Sequence, residues 1–217
     1  STDTHERFSQ RLVNSSKETI IALLTDLLTM YFNDRNSSTL REYLTVTIAG
    51  YEHSEKKIGF NGFKQSSIVG GKPVACEAKP KNFNTEDFLA YQQGKRRKPA
   101  LLNGNGNFTD YTYERFQKDY KENPYLLVSG FVDGKLIYVL EFPFQTRNFV
   151  KRLEIQLRQR FPGRKRLVGA FLRSATFTYH DFPPDVHIVF LRPKSELETH
   201  RKHISNGFFS FLYDRAA

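Results

Sequence analysis

Lys57–Asn82 reads K-I-G-F-N-G-F-K-Q-S-S-I-V-G-G-K-P-V-A-C-E-A-K-P-K-N. Its centre, Val74-Ala75-Cys76-Glu77-Ala78-Lys79, is a short apolar run with Gly70-Gly71 upstream and Pro80 downstream, the pattern of a buried strand. Side chains two apart on a strand share a face, so Glu77 and Lys79 project together while Ala78 points the other way. A carboxylate and an ammonium at the end of a core strand are costly to bury unless they act on something. The Glu77 carboxylate and the Ala78 carbonyl are hard oxygen donors of the kind Mg²⁺ takes. Lys79 is placed to orient or deprotonate a water and to offset charge on a phosphate. Phosphodiester hydrolysis is the chemistry these groups suit.

Composition bounds the partners. The chain has 217 residues, 39% of them hydrophobic, enough for one domain spanning 1–217. Its formal net charge of +10 favours a polyanion, and the 20 Phe and 11 Tyr must mostly be core. Cys76 is the single cysteine, which excludes an intramolecular disulfide and points to a reducing cytoplasm. By strand alternation Cys76 faces away from Glu77 and reads as a small core residue. No apolar run reaches membrane-spanning length and Ser1-Thr2-Asp3-Thr4 lacks a signal-peptide pattern, so a soluble protein without a membrane partner is expected.

Periodicity predicts a helix from Thr4 to about Phe32 with a restart capped by Ser15 or Ser16, and a second over Thr39 to Ala49. Thr85 to Leu89 opens a third. Gly94-Lys95-Arg96-Arg97-Lys98-Pro99 is a basic loop suited to phosphates or simply a solvated charge run, and Asn103 to Asn107 is a polar loop or a plain turn. A helix over Asp110 to Lys121 precedes a hairpin, Tyr125 to Phe131 and Lys135 to Phe142, turning at Asp133-Gly134. A helix from Arg147 to Phe161, a long strand Leu167 to Tyr179 and a strand Val186 to Leu191 follow. A terminal helix Ser195 to Arg215 carries Phe208, Phe209, Phe211 and Tyr213, for the core or a dimer interface. His180, Asp181, Asp185 and His187 are split by prolines, which favours a structural role over metal binding. The fold expected is α/β, a mixed sheet of five or six strands flanked by helices.

Glu77-Ala78-Lys79 on a strand that follows a turn resembles the D/E-x-K half of the PD-(D/E)xK nuclease superfamily, best known from type II restriction endonucleases. Where the resemblance asks for an earlier Asp stands Asn61; Glu52 and Glu55 lie before the strand. Asn61 is an Asp→Asn change that lets the chain hold uncut DNA, or it is natural, or the acid lies elsewhere; we favour the first, which a start at Ser1 rather than Met fits. Asn61-Gly62 alone could also be a type I′ turn. The resemblance implies a restriction-endonuclease-like core over about 40–140, with 143–217 serving recognition or dimerisation. It implies Mg²⁺ held by Asn61, Glu77 and the Ala78 carbonyl, with Lys79 serving a water that attacks phosphorus directly. Such folds sometimes add a helix Glu to the site, for which Glu42 and Glu18 are the candidates, although each reads first as a solvated face or a cap.

A restriction-type enzyme cutting double-stranded DNA implies a homodimer on a palindromic site. Candidates for reading sequence are Arg97, Asn103, Asn105, Arg173 and Ser174. Candidates for holding phosphate are Lys64, Arg96, Lys98, Arg164, Lys165 and Arg166. The alternatives are a non-catalytic basic DNA-binding module, with Glu77 and Lys79 a mere ion pair, and a repair or RNA-directed nuclease of the same superfamily.

Overall fold

The most apolar stretches, β5 (Tyr125–Val132) and β6 (Lys135–Pro143), meet at Asp133-Gly134, whose φ values of 49° and 79° make the two-residue turn a right-handed hairpin twist demands. The computed structural model describes residues 13–33, 38–54, 59–66, 70–164 and 170–217. Ahead of the hairpin come α1 (Lys17–Asn33), α2 (Ser38–Ile48), β1 (Glu52–His53), β2 (Gly62–Lys64), β3 (Val74–Phe83), α3 (Thr85–Gln92), β4 (Gly106–Tyr111) and α4 (Tyr113–Glu122). After it come α5 (Arg147–Arg160), β7 (Leu172–Phe177), β8 (His187–Leu191), α6 (Lys194–Thr199) and α7 (Asn206–Tyr213). The expected start of the first helix at Thr4 lies outside the described residues; the restart does not, and Ser16 Oγ caps α1 by accepting from Thr19 N.

The main sheet has six strands in the order β1-β2-β3-β5-β6-β8. It is mixed: β3 and β5 are parallel, and every other neighbouring pair is antiparallel. Helices flank it, so the α/β expectation holds. The crossover from β3 to β5 passes through α3, β4 and α4, and β4 pairs with β7 in a separate two-stranded ribbon.

Each face of the sheet has its own core. Cys76, Ala78 and Leu127 lie with Val46 of α2 and Tyr51. On the other side Phe83, Leu126, Val128 and Leu140 join Phe108, Phe149, Leu153 and Phe177. Phe149 is central there, with Phe177, Phe144 and Phe142 edge-on at 4.9, 5.3 and 5.4 Å between centroids. Gln156 of α5 donates to Thr176 O and accepts from Thr176 N, covering the outer edge of β7 with a side-chain amide.

Three elements differ from expectation. β3 does not stop at Pro80 but runs to Phe83, because β2 has ended by then and the proline's missing N–H falls on an edge with no strand partner among the described residues. The strand expected over Leu167 to Tyr179 is only Leu172–Phe177 among the described residues, and it joins β4 rather than the main sheet. The terminal helix is broken into α6 and α7, since Leu102 N donates to His203 O and Ser205 N donates to Leu102 O, which draws the chain at Ile204 into an extended bridge. The aromatics of α7 pack inward, Phe208 and Phe209 being buried, with Phe208 against Tyr138 and Tyr179. No helix among the described residues is long and apolar enough to cross a membrane.

Asn61-Gly62 is not a type I′ turn: neither residue has positive φ, and Gly62 opens β2 opposite Cys76. The glycine is there for space, because a Cβ would lie 2.5 Å from Val46 Cγ1 and 2.8 Å from Glu52 O. We expect Gly62→Ala to lower stability by about 2 kcal/mol through overpacking, read as a lower urea midpoint at unchanged m-value.

Candidate active site

β3 is paired unequally on its two edges, and the cleft follows from that. Its pairing with β5 runs from Cys76 to Phe83, whereas β2 covers it only from Val74 to Cys76. Beyond Cys76 the second edge has no strand partner among the described residues. Asn61 takes over there: its backbone N donates to Cys76 O at 2.9 Å, and its Oδ1 accepts from Ala78 N at 2.7 Å. A side-chain oxygen thus replaces the next ladder bond. By strand alternation the Ala78 carbonyl faces the same open edge.

Glu77 and Lys79 project from β3 on the face away from α2. Lys79 Nζ lies 2.7 Å from Glu77 Oε1 and 4.5 Å from the Phe108 ring centroid. Both side chains are mostly buried, at 10% and 16% exposure, so water weakens their attraction little. They line a cleft of about 520 Å³ together with Glu42, Gly59, Phe60, Asn61, Ala78, Thr109, Arg115, Lys118 and Asp119. Of the two helix glutamates, Glu42 of α2 is therefore at the cleft, where its Oε1 lies 3.3 Å from His53 Nε2. Glu18 sits exposed on α1.

The far wall was not singled out in the sequence. α4 starts at Thr112, whose Oγ1 accepts from Arg115 N, so positions 115, 118 and 119 fall on one helix face toward β3. Arg115 spans the gap, with Nη2 3.5 Å from Glu77 Oε1 and Nε 3.8 Å from Asp119 Oδ2. Tyr111 donates its hydroxyl to Asp119 Oδ2 at 3.0 Å. In sequence Arg115 and Asp119 are only an i,i+4 pair on an amphipathic helix, which usually means a solvated salt bridge. Folding buries Asp119 to 6% exposure.

The other candidates are dispersed. Lys64 lies on the α2 face of the sheet, 3.4 Å from Glu141 Oε1 and 4.2 Å from the Tyr51 ring centroid. There it shares buried Glu141 with the Tyr51 hydroxyl and His187 Nδ1. Arg96 is paired with Asp87, and Arg97 and Lys98 are exposed beside it. Asn103 and Asn105 are half-buried, Asn103 Oδ1 accepting from Asn105 N. Arg173 and Ser174 are exposed on β7, and Ser174 pairs in register with Thr109 at the cleft rim. Lys165 and Arg166 lie outside the described residues, and Arg164 immediately precedes them. Cys76 is fully buried, and burial pushes its thiol pKa up, as fits a core residue rather than a nucleophile.

The oxygen donors are chemically right for Mg²⁺: the Glu77 carboxylate, the edge-facing Ala78 carbonyl and the Glu42 carboxylate on the same cleft. The charge is thin. Asn61 brings a neutral amide oxygen already engaged by Ala78 N, and Glu77 Oε1 is shared by Lys79 and Arg115. Among the described residues no three Asp, Glu, His or Cys side chains converge as a metal-holding group. An Asp at 61 would add a further carboxylate to the cleft.

Burial pushes the Asp119 carboxyl up to about 6, with the Glu77 charge adding to the rise and the Tyr111 hydroxyl and Arg115 opposing it. A folded-state pKa above the unfolded value means the folded chain holds a proton that the unfolded chain has lost. Stability from this group is therefore greatest at low pH and falls as pH rises through about 6. We expect wild type to lose about 2 kcal/mol relative to Asp119→Asn between about pH 4 and about pH 7. Urea melts of both chains across that range test the sign.

No protein-family model, curated protein or solved structure matches this chain, so a functional assignment rests on the cleft's own chemistry.

Proposed function

We propose that this chain is a Mg²⁺-dependent endonuclease of the type II restriction kind, hydrolysing double-stranded DNA and working as a homodimer. One observation carries the proposal: Glu42 and Asn61, from outside β3, share one cleft at the open edge of β3 with Glu77 and Lys79. The net charge of +10 supports a polyanionic substrate.

Glu77, the Ala78 carbonyl and position 61 are the residues to hold the ion, which when bound supplies Lewis-acid polarisation of the phosphate and the water. Lys79, as the ammonium paired to Glu77, orients the attacking water and offsets charge as it builds on the phosphoryl oxygens. Asn61 fixes the β3 edge through Ala78 N but adds no negative charge, so the present chain binds the ion weakly and suits holding DNA uncut. The water oxygen forms a bond to phosphorus as the ester P–O bond breaks, and the water's proton ends on the leaving oxygen. No covalent intermediate arises. Two copies related by a two-fold axis present one cleft to each strand.

One observation favours a second reading, a non-catalytic basic DNA-binding module: Glu77 Oε1 is already compensated by Lys79 and Arg115. Incubating the chain and its Asn61→Asp variant with plasmid and phage DNA, with and without Mg²⁺, separates the two. We expect the Asp form to give discrete Mg²⁺-dependent fragments, and Glu77→Ala in that background to stop cleavage by a factor of about 1,000 or more while DNA still binds. If neither form cuts and Glu77→Ala leaves affinity intact, the binding module stands instead. Degradation of single-stranded or structured substrates without discrete plasmid fragments points to a repair-type nuclease.

A further inference from the structure

The cleft holds more cationic capacity than Lys79 explains, and the surplus sits on α4. Lys79 is committed to Glu77 at 2.7 Å, so an incoming phosphodiester would have to compete with that carboxylate for it. Arg115 is held differently. Its side-chain polar contacts among the described residues are all long: Nη1 to Thr109 O at 3.4 Å, Nη2 to Glu77 Oε1 at 3.5 Å and Nε to Asp119 Oδ2 at 3.8 Å. Its side chain is 40% exposed, and its guanidinium carbon lies 5.7 and 5.5 Å from the Phe108 and Tyr111 ring centroids. Two aromatic rings thus limit where the guanidinium can go, while no single acceptor saturates its five N–H donors.

Asp119 is the reverse case. It is buried, its Oδ2 takes the hydroxyl of fully buried Tyr111, and the Arg115 guanidinium is the one cation paired to it among the ion pairs of the described residues. A buried carboxylate bonded to a buried phenol does not itself reach substrate. Its charge draws the Nε end of the guanidinium toward the helix and leaves the Nη edge toward Glu77 and the cleft. The planar fork of an arginine matches two oxygens of one phosphate, which an ammonium cannot do.

We propose that Arg115 is the residue that binds the non-bridging oxygens of the phosphodiester in this cleft, and that Asp119, anchored by Tyr111, is the positioning residue that aims it. The proposal rests on the nucleic-acid reading of the cleft but not on cleavage. Arg115 serves as counter-charge to Glu77 while the cleft is free and turns to the phosphate when DNA arrives.

Binding of a fluorescent random-sequence DNA duplex in EDTA, measured by anisotropy over a series of salt concentrations, tests this without any turnover. Arg115→Gln should weaken binding about tenfold and lower the slope of log affinity against log salt by about one, the signature of one lost phosphate contact. Arg115→Lys should keep the slope but lose affinity, because charge stays and the fork goes. Asp119→Asn is the decisive variant. It removes a negative charge from the cleft, so simple electrostatics calls for tighter binding, whereas loss of positioning calls for weaker binding; Tyr111→Phe should follow it in the same direction. Arg158→Gln, at an exposed arginine of α5 whose ion pair among the described residues is with Glu154, measures the effect of charge loss alone. If Arg115→Gln merely matches Arg158→Gln, or if Asp119→Asn binds more tightly, the proposal is overturned while the nuclease reading survives. A wild-type chain that binds no duplex overturns both. Circular dichroism melts of each variant, with Arg115→Lys as the least disruptive, separate lost binding from lost folding.

Discussion

The hydrogen bond from Ala78 N to Asn61 Oδ1 marks the constraint on which the site depends: β3 is a full-length partner of β5 on one edge and nearly bare on the other. A buried strand edge cannot leave its amides unsatisfied, so whatever ends the β2 ladder must provide an acceptor for the next N–H. Asn61 does so with its side chain. Pro80, two residues further along the same edge, has no N–H to satisfy. The strand can therefore continue into the core as far as Phe83 with no strand partner on that edge among the described residues, and the cleft opens beside it.

The same geometry explains how charged groups come to lie inside. Alternation along β3 sends Cys76 and Ala78 into the α2 side and Glu77, Lys79 and Lys81 toward β4 and α4. Each then needs a partner in a medium that screens poorly. Glu77 has Lys79 and Arg115; Lys81 has Asn107 Oδ1 at 3.3 Å and a pKa lowered by burial and by neighbouring Lys79. Arg115 in turn has Asp119, which Tyr111 holds. The chain of contacts from Lys79 to Tyr111 ties β3 to α4, so the two walls of the cleft are set by electrostatics as much as by packing.

Glu141 poses the same burial problem on the opposite face and solves it with Tyr51, Lys64 and His187. Lys64 is close in sequence to the cleft residues and invites assignment to phosphate, but strand direction carries it to the other side of the sheet. His187, one of four residues that resemble a metal cluster on paper, is likewise engaged with Glu141. Sequence proximity says little about which face of a sheet a long side chain will serve, because the residue across the sheet comes from a strand far away in the chain.

What the sequence determined by itself is local: the Asp133-Gly134 hairpin, a serine-capped restart of the first helix at Ser15 or Ser16, the shared face of Glu77 and Lys79, and the α/β order of elements. These rest on φ preferences, caps and period-two alternation, which act over a few residues. Tertiary structure decided the rest. β3 outlasts Pro80 because β2 is short, the last helix breaks because Leu102 pairs with Ile204, and Asp119 becomes a buried carboxylate because Tyr111 and Arg115 close over it. Each depends on a partner that the residue's own neighbourhood does not contain, and burial and pairing across such distances exist only once the chain has folded.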